Sequence, residues 1–374
     1  MTQNNSTLAS VSAPYDALLI ASFGGPNRAE DVVPFLRNVV RGKNIPDARL
    51  EEVGEHYFGF GGVSPINAQN LALRTAVEDE LRERGIALPV IWGNRNWHPY
   101  TIDVLRDAHA FGVRRLLVLV TSAYASYSGS RQYREDFAAA AAQLRAEGIE
   151  LEIDFLRPFF NDPGFIAANA EGIMAEAVSF PEGLDHTHIA YVTHSIPDAM
   201  QDASAVTGPG YREQHEDVRA EIDGRLRAAG VTGLTSSLSY CSRSGDPRTP
   251  WLEPDVNDHL AELAEAGVKR VVIAPIGFVS DHMEVIYDLD TEAMETAEEL
   301  GMHAVRSATA GTHPTFVASL VDLVLERAAR ERGEEVPAPT VGALGAFPDV
   351  APPGSCRMRH GEVTGHPVVA GLID

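Results

Sequence analysis

The sequence predicts an α/β protein made of two similar doubly wound domains with parallel sheets. Short apolar, β-branched runs alternate with stretches whose apolar residues recur at threes and fours, as strands alternating with helices do. The two halves open alike: Ala17-Leu-Leu-Ile-Ala-Ser-Phe-Gly-Gly-Pro26 and Ile189-Ala-Tyr-Val-Thr-His-Ser-Ile-Pro197 each run an apolar strand into a small polar loop. Each half also holds a strand behind a basic pair, Arg114-Arg-Leu-Leu-Val-Leu-Val120 and Lys269-Arg-Val-Val-Ile-Ala-Pro275.

In chain order, the apolar runs predict strands at Ala17–Ala21, Val90–Trp92, Leu116–Val120, Leu151–Phe155, His188–Val192 and Val271–Ala274. Between them, the periodicity predicts helices at Gln69–Arg84 and Arg131–Ala146. Pro314 opens a last helix, on which Phe316, Val317, Leu320, Val321, Val324, Leu325 and Ala328 form one apolar stripe. The expected division is a first domain at 14–120 completed by the C-terminal helix 314–333, and a second at 121–313 carrying the metal-site residues. Residues 334–374, rich in Pro, Gly and Ala, read as an irregular, partly mobile tail. In doubly wound sheets ligands sit beyond the carboxyl ends of the strands.

A chain of 374 residues, 44% hydrophobic, is long enough for one large or two medium domains, and 22% charged residues do not suit a disordered chain. Met1 to Ala13 lack the basic start and apolar run of a secretory signal, and no run of 18 apolar residues suggests a membrane span. Two cysteines give no disulfide framework, so a reducing cytoplasm is expected. The net charge of −23 argues against nucleic acid as a partner. Otherwise it speaks for solubility. Beyond a Debye length of about 8 Å it is screened, so local groups decide what binds.

There is no G-x-G-x-x-G and no Walker A loop, which argues against dinucleotide and NTPase chemistry. His194 follows an apolar strand directly; an imidazole there can accept protons near neutral pH or ligate a metal, or simply make a structural hydrogen bond. The segment Pro275-Ile-Gly-Phe-Val-Ser-Asp-His-Met-Glu-Val-Ile-Tyr-Asp-Leu-Asp-Thr-Glu292 is richer. If it is helical after Ser280, Glu284, Asp288 and Glu292 form one acidic line. Carboxylates suit hard or borderline divalent cations. The alternative is a solvated acidic face, but the apolar start of the segment places the beginning of the line inside the molecule. Tyr124, Tyr127, Ser128, Arg131 and Tyr133 form a hydroxyl-rich patch that could bind carboxylates or be an exposed loop. Gly59-Phe-Gly-Gly-Val-Ser-Pro-Ile66 reads as a turn, and Trp251 as a packing anchor.

Six pieces in register resemble the ferrochelatase family over roughly residues 15–330. They are Ser22-Phe-Gly-Gly-Pro26, Gly61-Gly-Val-Ser-Pro65, Arg95-Asn-Trp-His-Pro99, Thr193-His-Ser-Ile-Pro197, Pro250-Trp-Leu-Glu-Pro-Asp255 and Gly277-Phe-Val-Ser-Asp-His-Met-Glu284. The resemblance implies two Rossmann-like domains of a chelatase-like fold with a porphyrin cleft between them. It implies insertion of ferrous iron, as substrate, into a tetrapyrrole. His194 and Glu284 match the family's catalytic pair facing each other across the macrocycle. With them, Asp288 and Glu292 match acidic metal-binding positions on a helix often described as a π-helix. Phe23 stands where some bacterial relatives have a Tyr that can ligate iron, so that ligand is not expected here.

The Ala- and acid-rich composition and the C-terminal extension resemble the actinobacterial members. These are associated with coproporphyrin III, which has four propionates, rather than protoporphyrin IX, which has two. Ser64 and Tyr133 match propionate-contact positions, and Tyr57 and Arg95 are further candidates. Some such members carry a 2Fe–2S cluster on four cysteines. With only Cys241 and Cys356, and His360 as a local hint of another ligand, no cluster and no permanently bound cofactor are expected here. A monomer is expected, and the tail is expected to be a relic or a surface element, held by packing or not held, so that deleting residues 340–374 should cost little activity. The alternatives are a protoporphyrin IX enzyme, a chelatase for another tetrapyrrole or metal, and a tetrapyrrole carrier without turnover.

Overall fold

The computed structural model describes residues 11–42, 45–246, 248–359, 361 and 368–371. Eight strands form two parallel sheets among these residues. They are β1 (Ala17–Ser22), β2 (Val90–Asn94), β3 (Arg115–Val120), β4 (Glu152–Phe155), β5 (His188–His194), β6 (Thr235–Cys241), β7 (Arg270–Ala274) and β8 (His303–Arg306). The first sheet has the order β2-β1-β3-β4 and the second β6-β5-β7-β8. The halves therefore share one topology. In each, the strand order reverses beside the first strand, and that is where such folds open a crevice.

The inner strands are apolar because both of their faces are covered. All six residues of β1 are buried, and Leu19 and Ile20 pair with Val118 and Leu119 of β3. Alternate residues face opposite layers. Leu18 and Ile20 enter a core that also holds Tyr191 of β5 and Val272 of β7, so a single apolar body joins the two halves. Leu73 and Val77, Phe165 and Ile173, Val218 and Ile222, and Phe316, Leu320 and Val324 fill it from four helices: Ile66–Glu83, Pro163–Ala175, Tyr211–Ala228 and Pro314–Glu331. Leu19 faces outward onto Phe137 and Leu144 of helix Gln132–Ala146.

One expectation needs correction. The strand at Glu152–Phe155 pairs with β3 through Ile153↔Leu116 and Phe155↔Val118, so the chain leaves the first sheet after Phe155 and not at 120/121. The tail has no helix or strand among its described residues, and several of these bond to the body of the protein. Arg157 Nη2 donates to Pro339 O at 3.1 Å, Asn161 Nδ2 to Gly345 O at 2.6 Å, and Phe347 sets its ring edge-on to Phe160 at 5.7 Å. His360 lies outside the described residues. Among those residues no helix is long and apolar enough to cross a membrane.

Candidate active site

The candidate residues lie beyond the carboxyl ends of β1, β2, β3, β5 and β7, where the topology predicts a crevice. Glycines bring these loops together. A Cβ on Gly25 would stand 2.7 Å from Ser64 Cβ, so the loop after β1 lies directly on the loop carrying Ser64, whose N–H donates to Pro26 O at 3.0 Å. A Cβ on Gly277 would stand 2.1 Å from Thr193 Oγ1, so the segment after β7 crosses against the end of β5. Gly277 N–H donates to Val192 O at 3.1 Å there. This crossing delivers Glu284 to His194.

His194 Nε2 lies 3.6 Å from Glu284 Oε2. The imidazole Nδ1 donates to the Ser195 carbonyl, which fixes the ring so that Nε2 faces Glu284. Tyr211 holds the backbone beneath, donating its hydroxyl to His194 O at 3.1 Å. The Pro250–Pro254 segment braces the next residues: Leu252 N–H donates to Ile196 O at 3.0 Å and Ser195 Oγ to Leu252 O at 2.8 Å. Trp251 bridges to Pro197 within it.

Met283–Val285 is a single α turn that widens into a π-helix over Ile286–Ala293. The expectation that the acidic line begins inside the molecule is not met. The Glu284 side chain is 50% exposed, Asp288 is half-buried and Glu292 is exposed. Asp288 accepts from Ser242 Oγ at the end of β6. Burial, with the charges of Glu284 and Glu292 adding, pushes its carboxyl up to about 7 against that hydrogen bond. His282 Nδ1 stands 3.7 Å from Glu284 Oε2, and burial holds this imidazole below its usual pKa despite Glu284. Among the described residues, no group of three or more His, Cys, Asp and Glu side chains is arranged to hold a metal ion. Glu284, Glu292 and His194 lie close enough to Asp288 for their charges to act on its carboxyl.

The carboxylate-binding candidates gather on the first half. The Arg95 guanidinium lies 4.9 Å over the Tyr133 ring and 5.9 Å over the Phe23 ring, and it pairs with Asp136 at 2.9 Å. Tyr133 is buried, which pushes its phenol up to about 12. Ser64 is buried as well. Tyr57 packs on Phe35 at 6.1 Å, near enough to Glu284 for that charge to add to the burial that raises its phenol. Tyr124, by contrast, is a core residue, stacked on His215 at 3.6 Å with its hydroxyl donating to Ile276 O.

The sequence assigns no role to His282, Ser242, His56 or Tyr287. His282 could have been found two residues before Glu284. Ser242 carries no such signal; its backbone has a positive φ of 63°. The His56 ring, from helix Asp47–Phe58, stacks on Tyr287 of the π-helix at 3.9 Å, and only the fold brings them together.

A ferrochelatase family model matches residues 15–328. The chain is 54% identical over 354 residues to a coproporphyrin III ferrochelatase of Streptomyces coelicolor, covering 93% of this chain and 94% of that one. It is 50% identical over 376 residues to a coproporphyrin III ferrochelatase of Leifsonia xyli, covering 96% and 94%. Among solved structures, SirB from Bacillus subtilis with Fe3+ is similar at 13% identity and a TM-score of 0.49, covering 85% of this chain and 97% of that one. With the motifs in register, the family match over most of its length and relatives at half identity, this chain belongs to the ferrochelatase family.

Proposed function

We propose that the protein inserts ferrous iron into coproporphyrin III, working as a cytoplasmic monomer with no permanently bound cofactor. The observation that carries this reading is the His194–Glu284 pair: an imidazole whose Nδ1 is tied to a backbone carbonyl and whose Nε2 faces a solvent-open carboxylate. A free porphyrin holds two inner N–H protons, and both must leave as Fe²⁺ enters. His194 Nε2 accepts a proton from a pyrrole nitrogen and passes it to water through the exposed Glu284. The second proton follows the same path, so the ring loses two protons and gains a dication.

Glu284 and Asp288 replace part of the iron's water shell without holding the ion tightly, because oxygen donors bind Fe²⁺ less firmly than a thiolate cage binds softer metals. Phe23, Phe58, Phe60 and Val63, each 38–44% exposed, offer apolar surface to a flat macrocycle. Arg95 and the hydroxyls of Tyr133, Ser64 and Tyr57 serve its propionates.

The test is anaerobic mixing of the protein with Fe²⁺ and each porphyrin, followed by absorbance. The reading expects kcat/KM for coproporphyrin III to exceed that for protoporphyrin IX by at least about tenfold, the worth of one charge-assisted hydrogen bond. Equal values would favour a general ferrochelatase, and binding without turnover a carrier.

A further inference from the structure

Arg131 joins three parts of the molecule. Its Nε donates to Glu135 Oε1 at 2.8 Å, and its Nη1 donates to the Ser355 carbonyl of the tail at 3.1 Å. Glu135 turns its other oxygen to the Tyr127 hydroxyl, which donates at 3.2 Å. Arg131 is only 4% exposed, so these charge-assisted bonds face little competition from water.

The chain Ser355–Arg131–Glu135–Tyr127 closes on one turn of π-helix, Tyr127–Arg131. Ser126 Oγ caps it by accepting from Gly129 N–H at 3.0 Å. A Cβ on Gly129 would stand 2.5 Å from Ser122 Oγ and 2.9 Å from Tyr124 O, so the turn is pressed onto the exit of β3. Two routes lead from it to the active site. Tyr133, two residues on, lies under Arg95. Ser128 Oγ reaches Met200 Sδ at 3.7 Å, in helix Asp198–Ser204 just after the His194 loop. The Tyr127 phenol, pushed up to about 12 by burial and by Glu135, also lies in the field of Arg95 and Asp136.

The tail that supplies Ser355 is itself anchored. Arg134 is 2% exposed, and its guanidinium donates to the tail carbonyls of Asp349, Val369 and Ala370. A buried charge requires such acceptors. Those anchors tie the tail on both sides of Ser355, whose carbonyl accepts from Arg131.

We infer that Arg131 is a positioning residue through which the C-terminal tail sets the Tyr127–Arg131 turn, and with it the grip on the porphyrin's acid groups at Arg95 and Tyr133. This rests on the porphyrin assignment above. The tail acts on substrate binding and not on metal insertion, so it is no dispensable surface element.

The test uses the full-length protein with Arg131→Ala, Arg131→Lys and Glu135→Gln, each checked for an unchanged Tm. The porphyrin Kd, from fluorescence quenching, and its KM should rise about tenfold for Arg131→Ala, as expected for one lost charge-assisted bond. The rise should be smaller for Glu135→Gln, and Arg131→Lys should recover part of it. The kcat and the KM for Fe²⁺ should stay within about twofold, because uniform binding alone is touched. If Arg131→Ala does not fold, Glu135→Gln decides. An unchanged porphyrin Kd in a folded variant, or a lower kcat at unchanged Kd, overturns this inference alone. Failure of the unaltered protein to bind coproporphyrin III overturns both this inference and the substrate assignment.

Discussion

Gly277 and Thr193 are packed so closely that no side chain fits between them: a Cβ on Gly277 would stand 2.1 Å from Thr193 Oγ1 and 2.5 Å from Thr193 Cβ. The segment leading to Glu284 hangs from this contact. Thr193 cannot easily give way, because its hydroxyl is bonded to Tyr211 at 2.7 Å in a buried site. Gly277→Ala should therefore move the loop, at about 1–3 kcal/mol of overpacking strain. The expected signature is insertion lost while porphyrin quenching persists. Full activity in this variant would show that the crossing does not position Glu284.

The proposed pair of His194 and Glu284 makes a sharper prediction. His194→Ala and Glu284→Ala should each lower insertion by at least about a hundredfold, the usual worth of a positioned acid–base group. Porphyrin affinity should be nearly unchanged, because Arg95, Tyr133 and the apolar rim are untouched. Stopped-flow absorbance with Fe²⁺, alongside equilibrium porphyrin titration, separates the two quantities. Near-normal turnover in either variant would remove that residue from the mechanism.

How much of this was legible in the sequence depended on which groups do the holding. β1, β3, β5 and β7 announce themselves because strands buried on both faces must be apolar. β6, Thr-Ser-Ser-Leu-Ser-Tyr-Cys, does not. Its serines are satisfied by distant partners: Ser237 by His188 at 2.7 Å, Ser236 by Arg219 and Asp223, and Ser239 by the Tyr191 carbonyl. β8 has only four residues. His194 and Glu284 sit in recognisable pieces, but the π-helix changes the register that a simple fourfold spacing suggests. The tail's hold was invisible because Pro339, Gly345, Asp349, Ser355 and Ala370 contribute backbone carbonyls, which leave no mark on residue type.

Stability should fall on the acid side through two buried imidazoles. Burial holds His188 down to about 4 and His215 down to about 3. His215 donates Nδ1–H to Tyr211 O at 2.7 Å, while its Nε2 has no partner, so a second proton there is unfavourable. The unfolded chain takes up these protons near pH 6.5, before the folded protein does. Their contribution is thus full above about 6.5 and is lost as pH falls toward 4 and 3. Asp288, raised to about 7, has the opposite sign and gains stability as pH falls, so a difference curve is needed. Urea unfolding of His215→Phe, which keeps the stack on Tyr124, should fall less steeply between pH 6.5 and 4.5 than that of the parent. Parallel curves would mean His215 is not held neutral.

Iron–sulfur chemistry gives the last prediction. A 2Fe–2S centre takes four protein ligands, all cysteines or, as a variant, two cysteines and two histidines. Cys241 ends β6 beside Ser242 and Asp288, in the second half. Cys356 lies in the tail beside Ser355, under the influence of Arg134 and Arg131 in the first half. Both thiols are free and buried, and burial raises both pKa values, against the thiolate that a cluster needs. Moving Cys356 toward Cys241 would break the carbonyl contacts of Arg131 and Arg134 and leave two guanidiniums short of acceptors. The described residues of the tail are held by hydrogen bonds of their own. Protein purified without oxygen should contain no stoichiometric acid-labile sulfide and no visible 2Fe–2S absorbance. Cys356→Ser should leave porphyrin affinity unchanged, since only a weak thiol contact is lost. Stoichiometric acid-labile sulfide with visible 2Fe–2S absorbance would show that the thiol is a ligand after all.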